Sequence, residues 1–378
     1  MVRSGWMILL LVCAALLCAE ALGVERFPPP EFDSHQVPVT TVPAARGEVF
    51  AYLDTAVFVA ALGISAYLAI KKRSRRGIFA LMLFCLAYFG FYRKGCVCPI
   101  GAIGNISFSL FSESYSVPVI VVLFFAVPLV FSLFFGRVFC GAVCPLGAIQ
   151  DAVLVRPVAV PGWLERGLRV IAYLYLGLAV LMAATGSAFI ICRYDPFVGF
   201  FRLSGNFNMI VVGICFLIVG LFVGRPYCRF FCPYGVLLGL CSRLSKKHLT
   251  ITPDECIKCR LCEEACPFGV IDKPTVEWAA EDYAKSKRRI IVLMAVLPVI
   301  VVAGCGAGYG VYKTVAGDGR LMTGSVVCGG FVGLVIGLKL IRESIRFRRE
   351  QYEANKGSCF SCGRCFEYCP VGKTGKRQ

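Results

Sequence analysis

Seven apolar stretches recur along the chain, at about 50–70, 77–92, 117–135, 170–191, 208–224, 290–308 and 321–341, with polar or basic segments between them. Most are close to the roughly 20 residues that a bilayer core demands, so the pattern predicts about seven transmembrane helices. The second stretch is short and also fits a re-entrant piece. Nearer the start, Arg3, an apolar run from Trp6 to Cys18 and the small-residue site Ala19-Glu20-Ala21 read as a signal peptide or an N-terminal anchor over 1–23. Residues 24–49, with Pro28-Pro29-Pro30, read as an extended extracytoplasmic segment. Basic residues gather in alternate loops: Lys71 to Arg76, the 136–169 loop, the 225–289 region with Lys246-Lys247 and Lys287-Arg288-Arg289, and Arg346 to Arg349. The acids Glu25, Glu31, Asp33, Glu48, Glu113 and Asp318 fall in the others, so the positive-inside rule puts the basic loops in the cytoplasm.

Composition agrees with this pattern. With 58% hydrophobic residues, 17% charged residues and a mean hydropathy of +0.73, the chain is too apolar for a soluble protein of its length. The formal charge of +17 sits in short tracts flanking apolar segments, which encodes topology and excludes a nucleic-acid partner. The expected location is a prokaryotic inner membrane, crossed several times.

The chain has 22 cysteines, and their spacing carries the chemistry. Cys256-x2-Cys259-x2-Cys262-x3-Cys266-Pro267 and Cys359-x2-Cys362-x2-Cys365-x3-Cys369-Pro370 share one ferredoxin-type pattern. In such pairs three thiolates hold one 4Fe-4S cluster and the fourth ligates the partner's. Two clusters are therefore expected, one on Cys256, Cys259, Cys262 and Cys369, the other on Cys359, Cys362, Cys365 and Cys266. Two independent sites, each using its own fourth Cys, remain the alternative. The last two apolar stretches lie between the runs, so a cytoplasmic ferredoxin-like domain is split by a transmembrane hairpin. The expected divisions are a transmembrane electron-transfer core at 50–245, a first ferredoxin-type half at 246–289, the hairpin at 290–341 and a second half at 342–378.

A second pattern, G-R-x-aromatic-C-x3-C-P-x-G, occurs twice, at Gly136 to Gly147 with Cys140 and Cys144, and at Gly224 to Gly235 with Cys228 and Cys232. Repetition at the ends of two spans suggests a pseudo-symmetric core in which each half contributes two thiols to one site. A third iron–sulfur cluster, a reversible dithiol and plain buried cysteines are the three readings of that quartet. A degenerate copy at Lys94 to Ile103 has Cys96 and Cys98, and topology places Cys192 on the same outer face. With Asp195 or His35 as fourth ligand these would hold an outer cluster; a structural disulfide with one spare thiol is the other reading. Cysteines 13, 18, 85, 215, 241, 305 and 328 read as small apolar residues. The glycines around 304–308 and 329–333 read as close helix packing, and His248 as a solvated interfacial residue.

On the CxxxCP pairs and the two ferredoxin runs, residues 50–378 resemble the membrane polyferredoxins of the NapH/NosR type. The resemblance implies an all-α polytopic membrane protein with cytoplasmic clusters. It also implies electron passage between the quinone pool or ferredoxin-like donors and an extracytoplasmic redox protein, in a complex with other subunits. An oxidoreductase subunit of the quinol or ferredoxin dehydrogenase type fits that role. The alternative is a redox accessory factor for metalloenzyme maturation, similar to the accessory ferredoxins of cytochrome oxidase.

Overall fold

The computed structural model describes residues 47–95, 98–112, 115–186, 188–203, 207–252, 256–275, 280–315, 319–345 and 349–371. The segment 1–23, most of 24–49, His35 and Cys96 lie outside the described residues.

The architecture is helical. Helix α1 (Glu48–Tyr67) runs on into a π-helical turn at Leu68–Lys72, and left-handed Arg73 ends it. The Ser74 side chain then caps α2 (Arg75–Cys85) by accepting from the Gly77 amide at 3.2 Å, and α2 continues as a π-helical segment to Tyr92. Next come α3 (Pro99–Phe111), α4 (Val119–Phe135), α5 (Pro145–Ala152), α6 (Gly162–Ala184), α7 (Phe207–Gly220) and α8 (Pro233–Arg243). The hairpin is α9 (Ala280–Val315) and α10 (Gly319–Ser344).

Among the described residues, five helical segments are long and apolar enough to cross a membrane: Glu48–Lys72, Arg75–Tyr92, Gly162–Ala184, Ser286–Gly310 and Met322–Arg342. The other two expected spans correspond to α4 and α7, apolar helices of 17 and 14 residues that fall short of that length. The stretch at 170–191 is displaced: α6 begins after Pro161 and stops at Thr185, where Gly186 takes a left-handed conformation. Helix α3 lies outside the seven apolar stretches, in the segment that carries the degenerate motif copy around Cys98. It packs against α4 and α6 inside the bundle.

Aromatic side chains build the core around the motif loops. Phe58 meets Phe89, Phe124 and Phe139 at ring separations of 5.7, 5.0 and 5.9 Å, and Phe139 meets Tyr234 at 6.0 Å. The Tyr234 hydroxyl donates to the Phe125 carbonyl at 2.7 Å, so it is buried with its polar end satisfied. In the hairpin, Gly304, Gly308, Gly329 and Gly333 bring the α9 and α10 backbones together, as their spacing suggested. On either side of the hairpin, strands β1 (Ile271–Asp272) and β2 (Glu353–Ala354) pair antiparallel, Ile271 with Ala354. That ladder joins the segments on the two sides of the hairpin.

Candidate functional site

Each C-P-x-G unit makes the same local structure. Cys144 and Cys232 are the N-caps of α5 and α8, and a proline at the first helical position starts each helix with its φ already set. The thiol therefore faces the amides of the first turn; the Gly235 amide donates to Cys232 Sγ at 3.3 Å. Cys98 caps α3 in the same way, ahead of Pro99. Helix N-termini favour negative charge, which suits thiolate ligands.

Cys140, Cys144, Cys228 and Cys232 line one small cavity, with Arg137, Phe139, Ile100, Gly147, Tyr234 and Leu238 completing it. Burial, then the neighbouring thiols, pushes Cys144 and Cys232 well above the ordinary cysteine range and Cys228 up to about 12. As thiols they are inert; a bound metal centre deprotonates them outright. Among the described residues every cysteine is free, and no three His, Cys, Asp or Glu side chains gather tightly enough for a single metal ion. Thiols spread around a cavity suit a cubane better than zinc or a disulfide.

Two guanidiniums complete the quartet by crossing between the halves. Arg225, in the second repeat, is fully buried and donates to the carbonyls of Cys140 and, at 3.3 Å, Gly141 in the first. A Cβ on Gly147 would lie 3.2 Å from Arg225 Nη1 and 3.3 Å from the Cys140 carbonyl. Reciprocally, a Cβ on Gly235 would lie 3.1 Å from Arg137 Nη2 and 3.4 Å from the Cys228 carbonyl. The glycine of each C-P-x-G is thus the seat of the other repeat's arginine. Gln150 on α5 adds a third crossing: its Nε2 donates to Cys228 Sγ at 3.3 Å and its Oε1 accepts from the Tyr227 amide at 3.0 Å.

The two ferredoxin runs share one backbone. Lys258 and Arg260 flank Cys259 in left-handed conformation, and Ser361 and Gly363 flank Cys362 in the same way. Non-glycine residues there cost about 1–2 kcal/mol each, a strain that makes sense where the loop must wrap a ligand. Cys266, Cys359, Cys362 and Cys365 line a single cavity with Phe268, Phe360 and Arg364, so the fourth cysteine of the first run sits with three of the second. Cys262 lies with Cys256 and Cys259, and Cys369 reaches back to Thr252, 3.8 Å from its hydroxyl, in the same packed cluster.

One layer of side chains separates the quartet from the second-run cavity. A Cβ on Gly141 would touch the Phe360 and Ser361 carbonyls, and one on Gly224 would touch Phe268, so each repeat docks on one ferredoxin run. Phe268 and Phe360 pack at 4.8 Å; the Arg137 guanidinium lies over Phe360 at 4.4 Å, and that of Arg225 at 5.7 Å. Asp151, at the end of α5, locks this layer. Its buried carboxylate meets Arg75 at 3.0 Å, Arg364 at 3.3 Å and Arg225 at 3.6 Å. Burial alone would raise its pKa, but Arg225, Arg364 and Arg75 outweigh it and hold the carboxyl at about 2. Arg75 also donates to the Cys362 carbonyl at 2.9 Å.

Of the outer set, Cys98, Cys192 and Asp195 do come together: a Cβ on Gly101 would lie 3.2 Å from Cys192 Sγ, and the charge of Asp195 reaches both thiols. Burial raises Asp195 to about 6, against the Phe197 amide that donates to it at 2.8 Å. Cys96 falls outside the described residues. The reading of His248 is corrected. The side chain packs against Gly136, both ring nitrogens are buried without a hydrogen-bond partner, and desolvation lowers its pKa to about 4.

The sequence reading passed over Gln150, Asp151 and the two motif arginines as site residues. It also missed Asp54, a fully buried carboxylate inside α1 that meets Arg93 at 2.8 Å and the Tyr88 hydroxyl at 2.7 Å. The invariance of G-R across the two repeats was the available signal for the arginines. An ionisable residue within an apolar span was the signal for Asp54.

Comparison with known proteins agrees with this geometry. A family model described as a 4Fe-4S binding domain matches residues 116–169 and 206–252, one CxxxCP pair in each, and a second 4Fe-4S binding domain model matches 249–272. The chain is 31% identical over 194 residues to YccM of Escherichia coli (strain K12), named as an electron transport protein, covering 46% of this chain and 54% of that one. It is 32% identical over 215 residues to the protein NirI of Paracoccus denitrificans (strain Pd 1222), covering 53% of this chain and 31% of that one. An uncharacterized protein of Methanocaldococcus jannaschii, MJ0750, is 33% identical over 99 residues, 26% of this chain and 41% of that one. The chain thus spans about half the length of the first of these relatives and less of the others. No solved structure matches. The 4Fe-4S binding domains, the apolar helices and the similarity to YccM and NirI together support a membrane 4Fe-4S electron-transfer family for this chain.

Proposed function

We propose that the chain is the relay subunit of a membrane redox complex, with three 4Fe-4S sites in series. Cys256, Cys259, Cys262 and Cys369 would hold the first, Cys266, Cys359, Cys362 and Cys365 the second, and Cys140, Cys144, Cys228 and Cys232 the third. Such a cluster supplies one-electron transfer at a potential set by its net charge, sulfur hydrogen bonds and solvent exposure. The chain's own residues provide those controls. Arg137 and Arg225 offset thiolate charge, the Gly235 amide, the Ser361 amide and Gln150 donate to sulfur, and the phenylalanine layer keeps water out.

The observation that carries the reading is the single layer of Phe360, Arg137 and Arg225 between the quartet and the second-run cavity. Tunnelling falls steeply with distance, and two sites this close exchange electrons readily. Basic loops support a cytoplasmic position for the ferredoxin runs. Cys98 and Cys192, with Asp195 and Cys96, would hold an outer centre facing an extracytoplasmic acceptor, and a quinone or a ferredoxin-like protein would be the exchange partner.

Anaerobic iron and sulfide analysis tests the count: three clusters require about twelve irons per chain, an outer centre adds more, and about eight would remove the quartet. Quinol-driven and ferredoxin-driven reduction of the clusters in membranes tests the role. Exchange with neither would favour the accessory-factor reading.

A further inference from the structure

Between α6, α8, α10 and the two ferredoxin-type halves lies a cavity of about 800 Å³, a volume within the range of small-molecule sites, and one part of its wall is formed by Arg137, Cys228, Cys232 and Phe360 of the proposed relay. Among the described residues, eight of its lining side chains are Arg or Lys and one, Asp272, is acidic. Asp272 is engaged by Arg349 at 2.9 Å. On the floor, the single carboxylate of Glu165 serves both Arg169 and Arg229, the latter at 2.7 Å. Arg229 is therefore half satisfied. Its side chain is 2% exposed, yet among the described residues its Nε and Nη1 have no hydrogen-bond partner, and the same holds for Nε of Arg137 beside it. Open guanidinium donors at such depth are costly unless an anion completes them.

The planar fork of arginine matches phosphate oxygens in pairs. Val170 on α6, with Ile336 and Leu340 on α10, adds an apolar wall, and both helices are candidate spans, so the mouth lies where a span leaves the bilayer. Basic pockets between spans at a membrane edge suit anionic head groups. We infer that this cavity binds a phosphate-bearing anion, its phosphate on Arg229 and Arg169 and its apolar part along Val170, Ile336 and Leu340. The phosphate can come from an anionic phospholipid or from a soluble phosphorylated compound, and the two sources are separable.

The test uses the full-length, cluster-loaded protein. In one arm it is placed in phosphatidylcholine nanodiscs with and without phosphatidylglycerol, and retained lipid is counted by native mass spectrometry. In the other, inorganic phosphate and flavin mononucleotide are titrated calorimetrically in a zwitterionic detergent. Each arm is repeated with the exposed pair Arg166→Gln/Arg342→Gln and with the control Arg76→Gln, an exposed arginine outside the cavity. Selective retention of phosphatidylglycerol, or saturable binding of a phosphate compound, weakened at least tenfold in the pair and unchanged in the control, is the expected result and names the source. Absence of selective binding in both arms overturns the proposal, as does equal binding by the pair and the control. The unmodified protein alone decides the first point, so a poorly folding variant leaves the inference open to refutation.

Discussion

Replacing Asp151 with Asn removes the one carboxylate that faces Arg75, Arg225 and Arg364, at 3.0, 3.6 and 3.3 Å. At an effective dielectric near 20, each contact is worth about 5 kcal/mol of Coulomb attraction, before subtracting desolvation and the mutual repulsion of three cations. What survives is smaller. An aspartate ordinarily near 3.9 and held here at about 2 corresponds to about 2.5 kcal/mol of stability at neutral pH. The Asn variant loses more than that, about 3–5 kcal/mol, because Arg225 is left buried with its charge uncompensated.

The assay is thermal unfolding in detergent, followed by the visible absorbance of the clusters, at pH 7 and along an acid series. The sign is fixed by the lowered pKa. Asp151 contributes its full stabilisation above about pH 4, and the contribution fades as pH falls from there through about 2, so the gap between wild type and Asp151→Asn should close on acidification. A second change, Arg364→Gln, relieves part of the uncompensated charge and should make the double variant less damaged than the sum of the two. Equal stability of wild type and Asp151→Asn at pH 7, or strict additivity with Arg364→Gln, would refute the lock.

Cys259→Ser and Cys362→Ser should each lose about four irons per chain, and Cys266→Ser should erase the spectrum tied to Cys362 while sparing that tied to Cys259. The opposite pattern would mean that each run uses its own fourth cysteine. Gly235→Ala and Gly147→Ala should cost about 1–3 kcal/mol each by crowding Arg137 and Arg225, and should broaden or remove the quartet's paramagnetic signal while the ferredoxin signals persist. Gln150→Leu takes one hydrogen bond, worth about 1 kcal/mol, from Cys228, which should move the quartet's midpoint about 40 mV more negative in a redox titration. An unmoved midpoint would show that Gln150 does not tune it.

The legible part of the site was its covalent part. Spacing left two arrangements open, cross-ligation or two independent sites, and the structure lines one cavity with Cys266, Cys359, Cys362 and Cys365. Repetition pointed to one site shared by the two halves, and Cys140, Cys144, Cys228 and Cys232 do line one cavity. What spacing does not encode is the polar packing that long-range folding brings in. Asp151 precedes Arg364 by 213 residues and Gln150 precedes Cys228 by 78, with nothing local to mark either pair. The spans were legible through hydropathy, with errors where local signals act: Gly186 ends α6 early, and α3 begins at Cys98-Pro99 because a capping cysteine and a proline start a helix where the apolar stretches predict no span. His248 misled because its lysine neighbours suggested solvent, while the left-handed Gly136 opens the space its ring fills.

The crossing of Arg137 and Arg225 gives the internal repeat a physical purpose. A 4Fe-4S cluster with four thiolates carries net negative charge, and an apolar membrane edge cannot solvate it, so the protein must bring cations of its own. Were each arginine seated in its own repeat, either half could fold around an incomplete centre and leave a buried charge behind. Because the seat of each is the glycine of the other repeat, Arg225 reaches the first repeat, and Arg137, which also lies 3.7 Å from Cys140 Sγ in its own, completes its contacts, only when both halves have closed. Arg225 then goes further, since Asp151 and Arg364 tie the same guanidinium to the second ferredoxin run. Core closure and docking of the ferredoxin runs thus share one set of contacts, and on the proposed relay the layer that would balance a cluster's charge is the layer an electron would cross.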